Sequence, residues 1–410
     1  MTAHGPACRS CGFEDLRQIL SLGSTPLANA LLTAEQLGHD ERRYPLELAF
    51  CSHCSLVQIT EIIPPERLFS DYLYFSSFSE TMLRHAREMV EDIVGRRHLN
   101  SDSLVIEIAS NDGYLLRNLV EIGVPVLGVE PARNIATVAE ERGVPTRCDF
   151  FSAQLAEQLS SEGMSADVIV ANNVMAHVPD INGVVSGIKA LLKPNGIFVM
   201  ETPYVVDMID GVEFDTIYHE HVFYYSLTAL ERLFQRHGLA ALDVQRIPIH
   251  GGSLRITAGH ATDTGARGAV VALLESEQAR GVTSLEYYAQ FADRVQRLRS
   301  DLHAVLEGLQ AGHRRIAAYG ASAKGSTLLN YFDIGSDTIA YVVDRSTVKQ
   351  GRFTPGTHLQ IFPTERLVQD RPDYVLLLTW NFADEILEQQ AAYRRLGGRF
   401  IIPLPQIRVV

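Results

Sequence analysis

The stretch that most constrains this chain runs from Ser103 to Asn134, S-L-V-I-E-I-A-S-N-D-G-Y-L-L-R-N-L-V-E-I-G-V-P-V-L-G-V-E-P-A-R-N. Residues 104–108 are an apolar run of strand length, Ser110 to Gly113 form a turn, and residues 114–122 carry apolar side chains at helical spacing. A second apolar run, 124–129, stops at Glu130, which Pro131 follows. Such a βαβ unit is built to hold a nucleoside: the backbone N–H groups of the turn face the ligand, and Glu130 accepts from ribose hydroxyls. The turn departs from G-x-G-x-x-G, because Ala109 and Asn111 stand where glycines would let a pyrophosphate crowd the backbone. A dinucleotide is therefore disfavoured. A cationic nucleoside without phosphates, S-adenosylmethionine, suits an acidic turn better, with Glu107 and Asp112 near its amine and sulfonium. The plain alternative is an ordinary Rossmann strand whose polar turn only caps a helix.

The next elements extend this unit. A helix over 132–142 and a short strand lead to Asp149 and Phe150, a pair able to bond an adenine amine and cover its face. A strand over 166–171 ends in N-N-V-M-A-H-V, placing Asn172, Asn173 and His177 at the edge where open α/β sheets bind ligands. With further strands expected at 197–200, 242–249 and 253–257, the fold class is α/β with a doubly wound, Rossmann-like sheet. Residues 269–309 read as two polar helices that link this sheet to a final domain.

Four of the five cysteines fall early, at Cys8, Cys11, Cys51 and Cys54, as two C-x2-C knuckles. Four thiolates can close a tetrahedron around Zn²⁺ with no open position, so a structural metal is expected, one whose loss unfolds the small module alone. Disulfides are the alternative. The formal net charge of −13 argues against a nucleic-acid or anionic-membrane binder, and any anionic ligand must be met locally. No apolar h-region follows Met1 and no apolar run approaches spanning length, so the expected location is cytoplasmic. Nothing in the pattern fixes an oligomeric state, and a monomer is plausible.

Two more stretches carry chemistry. In F-D-T-I-Y-H-E-H-V-F-Y-Y, Tyr218, His219, Glu220 and His221 are consecutive, and an imidazole base, an orienting carboxylate and a phenol are what a proton abstraction needs. Consecutive residues cannot all face one way, so two of the four are expected to point into a site; a metal cluster or a solvated turn fits the same letters. Upstream, the aromatics Tyr72, Tyr74, Phe75 and Phe78 fit packing or a pocket wall. Near the C-terminus, a strand over 316–319 ending at Tyr319 leads into G-A-S-A-K-G, where Ser322, Lys324 and a helix N-terminus make an anion site for a pyrophosphate. A strand over 339–343 ends in Asp344-Arg345 with Lys349 and Arg352 beyond it, and a strand over 374–378 ends in Thr379-Trp380-Asn381. This second Rossmann-like unit is either a ligand domain or a structural copy.

In their order and spacing, the four-cysteine module, E-I-A-S-N-D-G-Y, G-V-E-P, N-N-V-M-A-H-V, Y-H-E-H, H-G-G-S-L-R and Y-G-A-S-A-K-G resemble the zinc-containing, S-adenosylmethionine-dependent sugar C-methyltransferases of deoxysugar biosynthesis. The resemblance covers nearly the whole chain. It implies a zinc module at 1–68, a methyltransferase domain with helical linker at 69–300, and a nucleotide-sugar domain at 301–410. It implies methyl transfer to a carbon alpha to the ketone of a dTDP-linked 4-keto-deoxysugar, most simply C3, in antibiotic deoxysugar formation. On that reading His221 is the base, Glu220 orients it, Tyr218 donates to the enolate oxygen, and His177 with Tyr72 shapes the sugar pocket. Ser110, Gly113, Glu130, Pro131, Asp149, Phe150, Asn172 and Asn173, with Glu107 and Asp112, would hold the cofactor; Tyr319, Ser322, Lys324, Arg345 and Asn381 would hold the substrate. C5 methylation, O- or N-methylation of another small molecule, a zinc-ribbon nucleic-acid binder and a nicotinamide oxidoreductase are the rivals.

Overall fold

A computed structural model describes residues 6–69, 76–78, 80–249, 251–262 and 267–410. They build three sheets. The largest has seven strands in the order Leu239–Ile247, Ser253–His260, Leu192–Pro203, Ala166–Asn172, Val105–Ile108, Val126–Val129, Thr146–Arg147. The last five are parallel, and Ser253–His260 returns antiparallel to both its neighbours. Strand order reverses between Val105–Ile108 and Ala166–Asn172, so the crevice for a ligand opens at the carboxyl ends of those two strands. Val105–Ile108 is buried at all four residues, including Glu107, as a central parallel strand covered on both faces must be.

The helix Glu80–Arg97 covers one face with Met82, Ala86, Met89, Val90 and Ile93, a single stripe at helical spacing. The K-P-N-G stretch lies within Leu192–Pro203 as a bulge, where five steps on this strand match two between Ala166 and Val168. Glycine is needed there, since a Cβ on Gly196 would lie 2.7 Å from the Ala166 carbonyl oxygen. The linker holds three helices rather than two: Gly268–Ala279, Leu285–Tyr288 and Phe291–Ala311.

The C-terminal sheet has the order Ile361–Phe362, Val342–Val343, Ile316–Tyr319, Tyr374–Leu377, Arg399–Ile402, Arg408–Val409, parallel except for the last strand. The N-terminal sheet is antiparallel, in the order Leu16–Thr25, Tyr44–Cys51, Val57–Ile59, Phe223–Tyr224. Its fourth strand comes from the chain beyond Leu192–Pro203 of the seven-stranded sheet, directly after the Tyr218–His221 tetrad. The N-terminal module also bridges to the C-terminal domain, where Leu32 and Phe353 exchange two backbone hydrogen bonds of 2.9 Å. One continuous cluster of buried apolar side chains runs through all three sheets. Among the described residues no helix is long and apolar enough to cross a membrane.

Candidate active site

One open cleft of roughly 770 Å³ is lined from all three parts of the chain. At its first end stands the turn after Val105–Ile108. Ala109, Asn111 and Gly113 take φ values of 52°, 50° and 74°, so the backbone coils through the left-handed region although only one of the three is glycine. Gly113 has no substitute, because a Cβ there would meet Val144 Cγ2 at 2.8 Å. Glu130 lines the cleft and braces the turn: its carboxylate accepts from the backbone N–H of Asn111 at 3.0 Å and of Ala132 at 2.8 Å. Burial raises its pKa, and those two donors hold the rise back. Each oxygen keeps a second lone pair for a ligand hydroxyl.

Asn111, Pro131, Phe150, Asn172 and Asn173 also line this end. Glu107 lies deeper. Burial first, then the charges of Glu130 and Asp112, push its pKa well above the usual carboxylate range. The Asp112 carboxylate, buried completely, is bound to Arg142 Nη1 at 2.7 Å and to the Ser77 hydroxyl, outside the cleft lining. Asp112 therefore differs from its expected place beside the cofactor: its charge is matched by an arginine that no sequence spacing points to. Ser110 is buried beneath the turn, and Asp149 is exposed, its carboxylate accepting from the Phe150 N–H at 2.8 Å.

The middle of the cleft is made by the tetrad. Tyr218 and His221 line it, with the phenolic oxygen 2.7 Å from His221 Nε2. His221 Nδ1 lies 2.9 Å from the Thr216 carbonyl oxygen, which can only accept, so Nδ1 carries the hydrogen and Nε2 is the acceptor for the phenol. Glu220 does not orient this ring. Its carboxylate points to the N-terminal module and accepts from Asn29 Nδ2 at 2.7 Å, while His219 Nε2 reaches the Pro45 carbonyl at 3.1 Å. Side chains alternate along this turn, which sends Glu220 away from His221, and a backbone carbonyl already holds Nδ1. His177 lines the cleft edge-on to His221, ring centroids 4.8 Å apart, and burial pushes its pKa down to about 4. Tyr72 lies outside the described residues.

The far end belongs to the C-terminal domain. Ser322, Lys324, Lys349 and Asn381 line it. Ser322 Oγ caps the helix Ala323–Phe332 by accepting from Gly325 N at 3.0 Å, and the Lys324 ammonium sits 4.7 Å from the centre of the Trp380 ring. Trp380 Nε1 donates to Asp215 Oδ2 at 2.7 Å, tying this domain to the turn just before the tetrad. Phe214 stacks on Phe332 at 4.7 Å to the same effect. Tyr319 is buried below the cleft, and Arg345 is exposed and faces Glu385 at 3.7 Å; neither lines it.

Away from the cleft, the sulfurs of Cys8 and Cys54 are 3.5 Å apart, those of Cys11 and Cys51 3.6 Å, and all four ligand atoms lie within 4.8 Å of one another. A disulfide would need about 2.05 Å. Zn–S bonds of ~2.3 Å give tetrahedral sulfur–sulfur edges of ~3.8 Å, so the four cysteines fit one closed zinc site. Gln58 Nε2 donates to Cys8 Sγ at 3.2 Å, a bond that steadies a thiolate ligand.

Three family models match in succession: a zinc binding domain over residues 8–69, a methyltransferase domain over 79–244 and a C-methyltransferase C-terminal domain over 248–405. C-methyltransferase NovU of Streptomyces niveus is 39% identical over 404 residues, which is 98% of this chain and 96% of that protein. The chain belongs to the C-methyltransferase family. A ubiquinone biosynthesis O-methyltransferase of Bartonella tribocorum is 26% identical over 168 residues, 40% of this C-methyltransferase and 66% of that protein. A crystal structure of magnesium protoporphyrin IX methyltransferase from Synechocystis PCC 6803 with bound SAM aligns with a TM-score of 0.34 and 13% identity, over 43% of this chain and 78% of that one.

The residues at the switch point fit the methyl donor of a C-methyltransferase. Asn172 Oδ1, Asn173 Oδ1, Ser110 Oγ and Glu107 Oε2 are buried without a partner among the described residues, all near the carboxyl ends of the two strands at the switch point. The two of these acceptors that line the cleft, Asn172 and Asn173, and a braced Glu130 fit a cationic nucleoside with an ammonium group, the chemistry of S-adenosylmethionine. Sequence reasoning missed three contributors. Thr216 acts through a backbone carbonyl, which has no letter of its own; Arg142 lies 30 residues beyond its partner Asp112; Asn29 sits in a stretch that reads as module packing.

Proposed function

We propose that this methyltransferase transfers a methyl group from S-adenosylmethionine to C3 of a dTDP-linked 4-keto-deoxysugar. One observation carries the reading: a single cleft runs from the braced nucleoside turn, past the Tyr218–His221 pair, to the Ser322–Lys324 turn. A substrate that spans the second and third of these needs a reactive ring at one end and an anion at the other. A nucleotide sugar has both.

The bound cofactor supplies an electrophilic methyl on a sulfonium. His221 is the base. Its Nδ1–H is pinned by the Thr216 carbonyl, so the lone pair on Nε2 faces the cleft through the Tyr218 hydroxyl. When a ketone enters, the phenol hydrogen turns to the C4 oxygen and Nε2 is freed to take the proton from C3. The electron pair of the broken C–H bond then moves onto the C4 oxygen as an enolate, where Tyr218 stabilises it. The enolate pair returns to C3 as that carbon takes the methyl; S-adenosylmethionine, when bound, would give up the methyl with its sulfur keeping the electron pair of the broken sulfur–methyl bond, and would leave as the neutral thioether. Lys324 and the capped helix N-terminus hold the diphosphate, aided by Lys349, and fix the ring against the dyad. In a chain of net charge −13 these two lysines are the local answer to an anionic ligand.

The test is mass spectrometry of products formed from isotopically labelled S-adenosylmethionine and a panel of dTDP-4-keto sugars. The expected product gains one labelled methyl at C3. Exchange of the C3 hydrogen for solvent deuterium without cofactor should also occur; methylation on oxygen or nitrogen with no such exchange overturns the reading.

A further inference from the structure

The hydrogen bond between Asn29 and Glu220 joins two modules across 191 positions of sequence. Asn29 lies just after the first strand of the zinc module and lines the cleft; Glu220 sits behind it, 4% exposed, on the turn that carries Tyr218 and His221. Asn29 Nδ2 occupies one carboxylate oxygen, Oε1. The other, Oε2, is buried with no partner among the described residues. A buried carboxylate left half satisfied is costly, so the bond from Asn29 does much to keep Glu220 in place.

We infer that Asn29 is a positioning residue for the reaction: the zinc module reaches into the active site, where Asn29 lines the cleft, and its hold on the Glu220 carboxylate behind the lining fixes the turn that presents Tyr218 and His221 to the bound ring. The inference rests on the keto-sugar reading above for the identity of that ring. It gives the N-terminal module a part in substrate handling besides binding metal. An amide suits the task because it donates to one oxygen without bringing a charge that would neutralise the other.

The surroundings agree. Burial lifts the Glu220 carboxyl to about 7, while the Asn29 N–H and then the Lys349 charge pull it down. Other titratable groups nearby are His177, beside the Glu220 main chain, and His219 and His221 on the same turn. Removing the amide donor therefore moves the Glu220 titration upward, toward the neutral acid.

The test compares wild type, Asn29→Asp, Asn29→Ala and Glu220→Gln as full-length zinc-loaded protein. Asn29→Asp keeps the shape and removes the donor, and Asn29→Ala guards against an effect peculiar to the added charge. Two readouts are taken: the pH profile of kcat/KM with the keto sugar, and the Glu220 carboxyl titration by infrared difference spectroscopy, assigned as the signal missing from Glu220→Gln. Expected are an upward shift of that titration in both Asn29 variants and a fall in kcat/KM for the nucleotide sugar of about tenfold, from loss of the charge-assisted hydrogen bond that holds the turn. The KM for S-adenosylmethionine and the zinc content should not change. Superimposable profiles and an unmoved carboxyl titration overturn the inference. If the wild type turns over no keto sugar, the substrate reading fails by itself, and the infrared titration still decides whether Asn29 governs Glu220.

Discussion

The rings of His177 and His221 meet edge to face with centroids 4.8 Å apart. Two imidazolium ions at that distance would repel strongly, so one ring must stay neutral while the other takes a proton. His177 is the neutral one, because burial lowers its pKa to about 4. It thereby leaves His221 free to gain charge beside a polarisable but uncharged neighbour, as a general base in a walled cleft requires.

Replacing His221, the proposed base, tests this division of labour. His221→Asn should reduce kcat by roughly a hundredfold or more, the range of a lost general base. S-adenosylmethionine affinity measured by calorimetry should hold within about a factor of two, since the nucleoside turn at the first end of the cleft is braced by Glu130 and not by His221. Tyr218→Phe, which keeps the ring and removes the hydroxyl, should lose less than His221→Asn. An inverted order would make the tyrosine the group that takes the proton.

Buried titratable groups also set a stability window. Glu213 is raised by burial to about 8 against the pull of Lys324, well above the ordinary carboxylate value. A folded pKa above the unfolded one stabilises fully below the unfolded value, and that contribution is lost as pH rises through about 8. His177 has the opposite sign: its folded value of about 4 is below the free imidazole's, so its contribution is lost as pH falls from the unfolded value toward 4. Scanning calorimetry should therefore find the highest Tm in the mildly acidic range, with declines on both sides. Glu213→Gln should match wild type at the acid end and exceed it by a few degrees on the alkaline side. Parallel curves would mean that Glu213 does not titrate as a buried acid.

The C-terminal grip has a separable kinetic signature. Lys324→Ala should raise the KM for the nucleotide sugar by about tenfold, as expected for one charge-assisted contact to a phosphate, with the KM for S-adenosylmethionine unchanged. The variant also leaves the Trp380 face uncovered, so a Lys324→Arg control, which keeps a cation on the ring, separates packing from charge. A selective rise in the cofactor's KM would detach the C-terminal domain from substrate binding.

What was legible in the sequence was whatever depends on a run of letters. The strand, turn and helix around Ser110 to Gly113 show as two apolar runs about a polar turn, and the four cysteines announce their cluster by spacing. Contacts between distant segments were not legible. Glu220 reads as a partner of His221 because the two are adjacent, yet adjacency on a turn sends them apart, and the real partners are a carbonyl at Thr216 and an amide at Asn29. Asp112 reads as free negative charge until Arg142 is seen against it. Phe223–Tyr224 is too short a strand to carry a period, so its membership of the N-terminal sheet was invisible.

That last strand changes what metal removal should do. From spacing alone, losing zinc unfolds a small module and spares the chemistry. In the structure, Phe223 and Tyr224 pair with Gln58 and Val57, four and three residues beyond Cys54, and Val222 O accepts from Ile59 N at 3.0 Å. Arg232 and Arg236, on the helix that follows, donate to Ser55 Oγ, next to the second cysteine knuckle, and to the Ser10 carbonyl within the first. The tetrad is thus anchored to the metal module on its C-terminal side and to Phe332 and Trp380 on the other. A closed four-thiolate site stabilises a fold directly, so chelation, or Cys51→Ser, should loosen the Val57–Ile59 strand and the tetrad with it. Hydrogen exchange should show lost protection at residues 222–224 together with the knuckles, while residues 105–108 and 126–129 remain protected. Keto-sugar turnover should fall by at least tenfold with S-adenosylmethionine binding retained. Full turnover by metal-free protein with exchange confined to residues 8–55 would show that the fourth strand holds the catalytic turn without help from the metal.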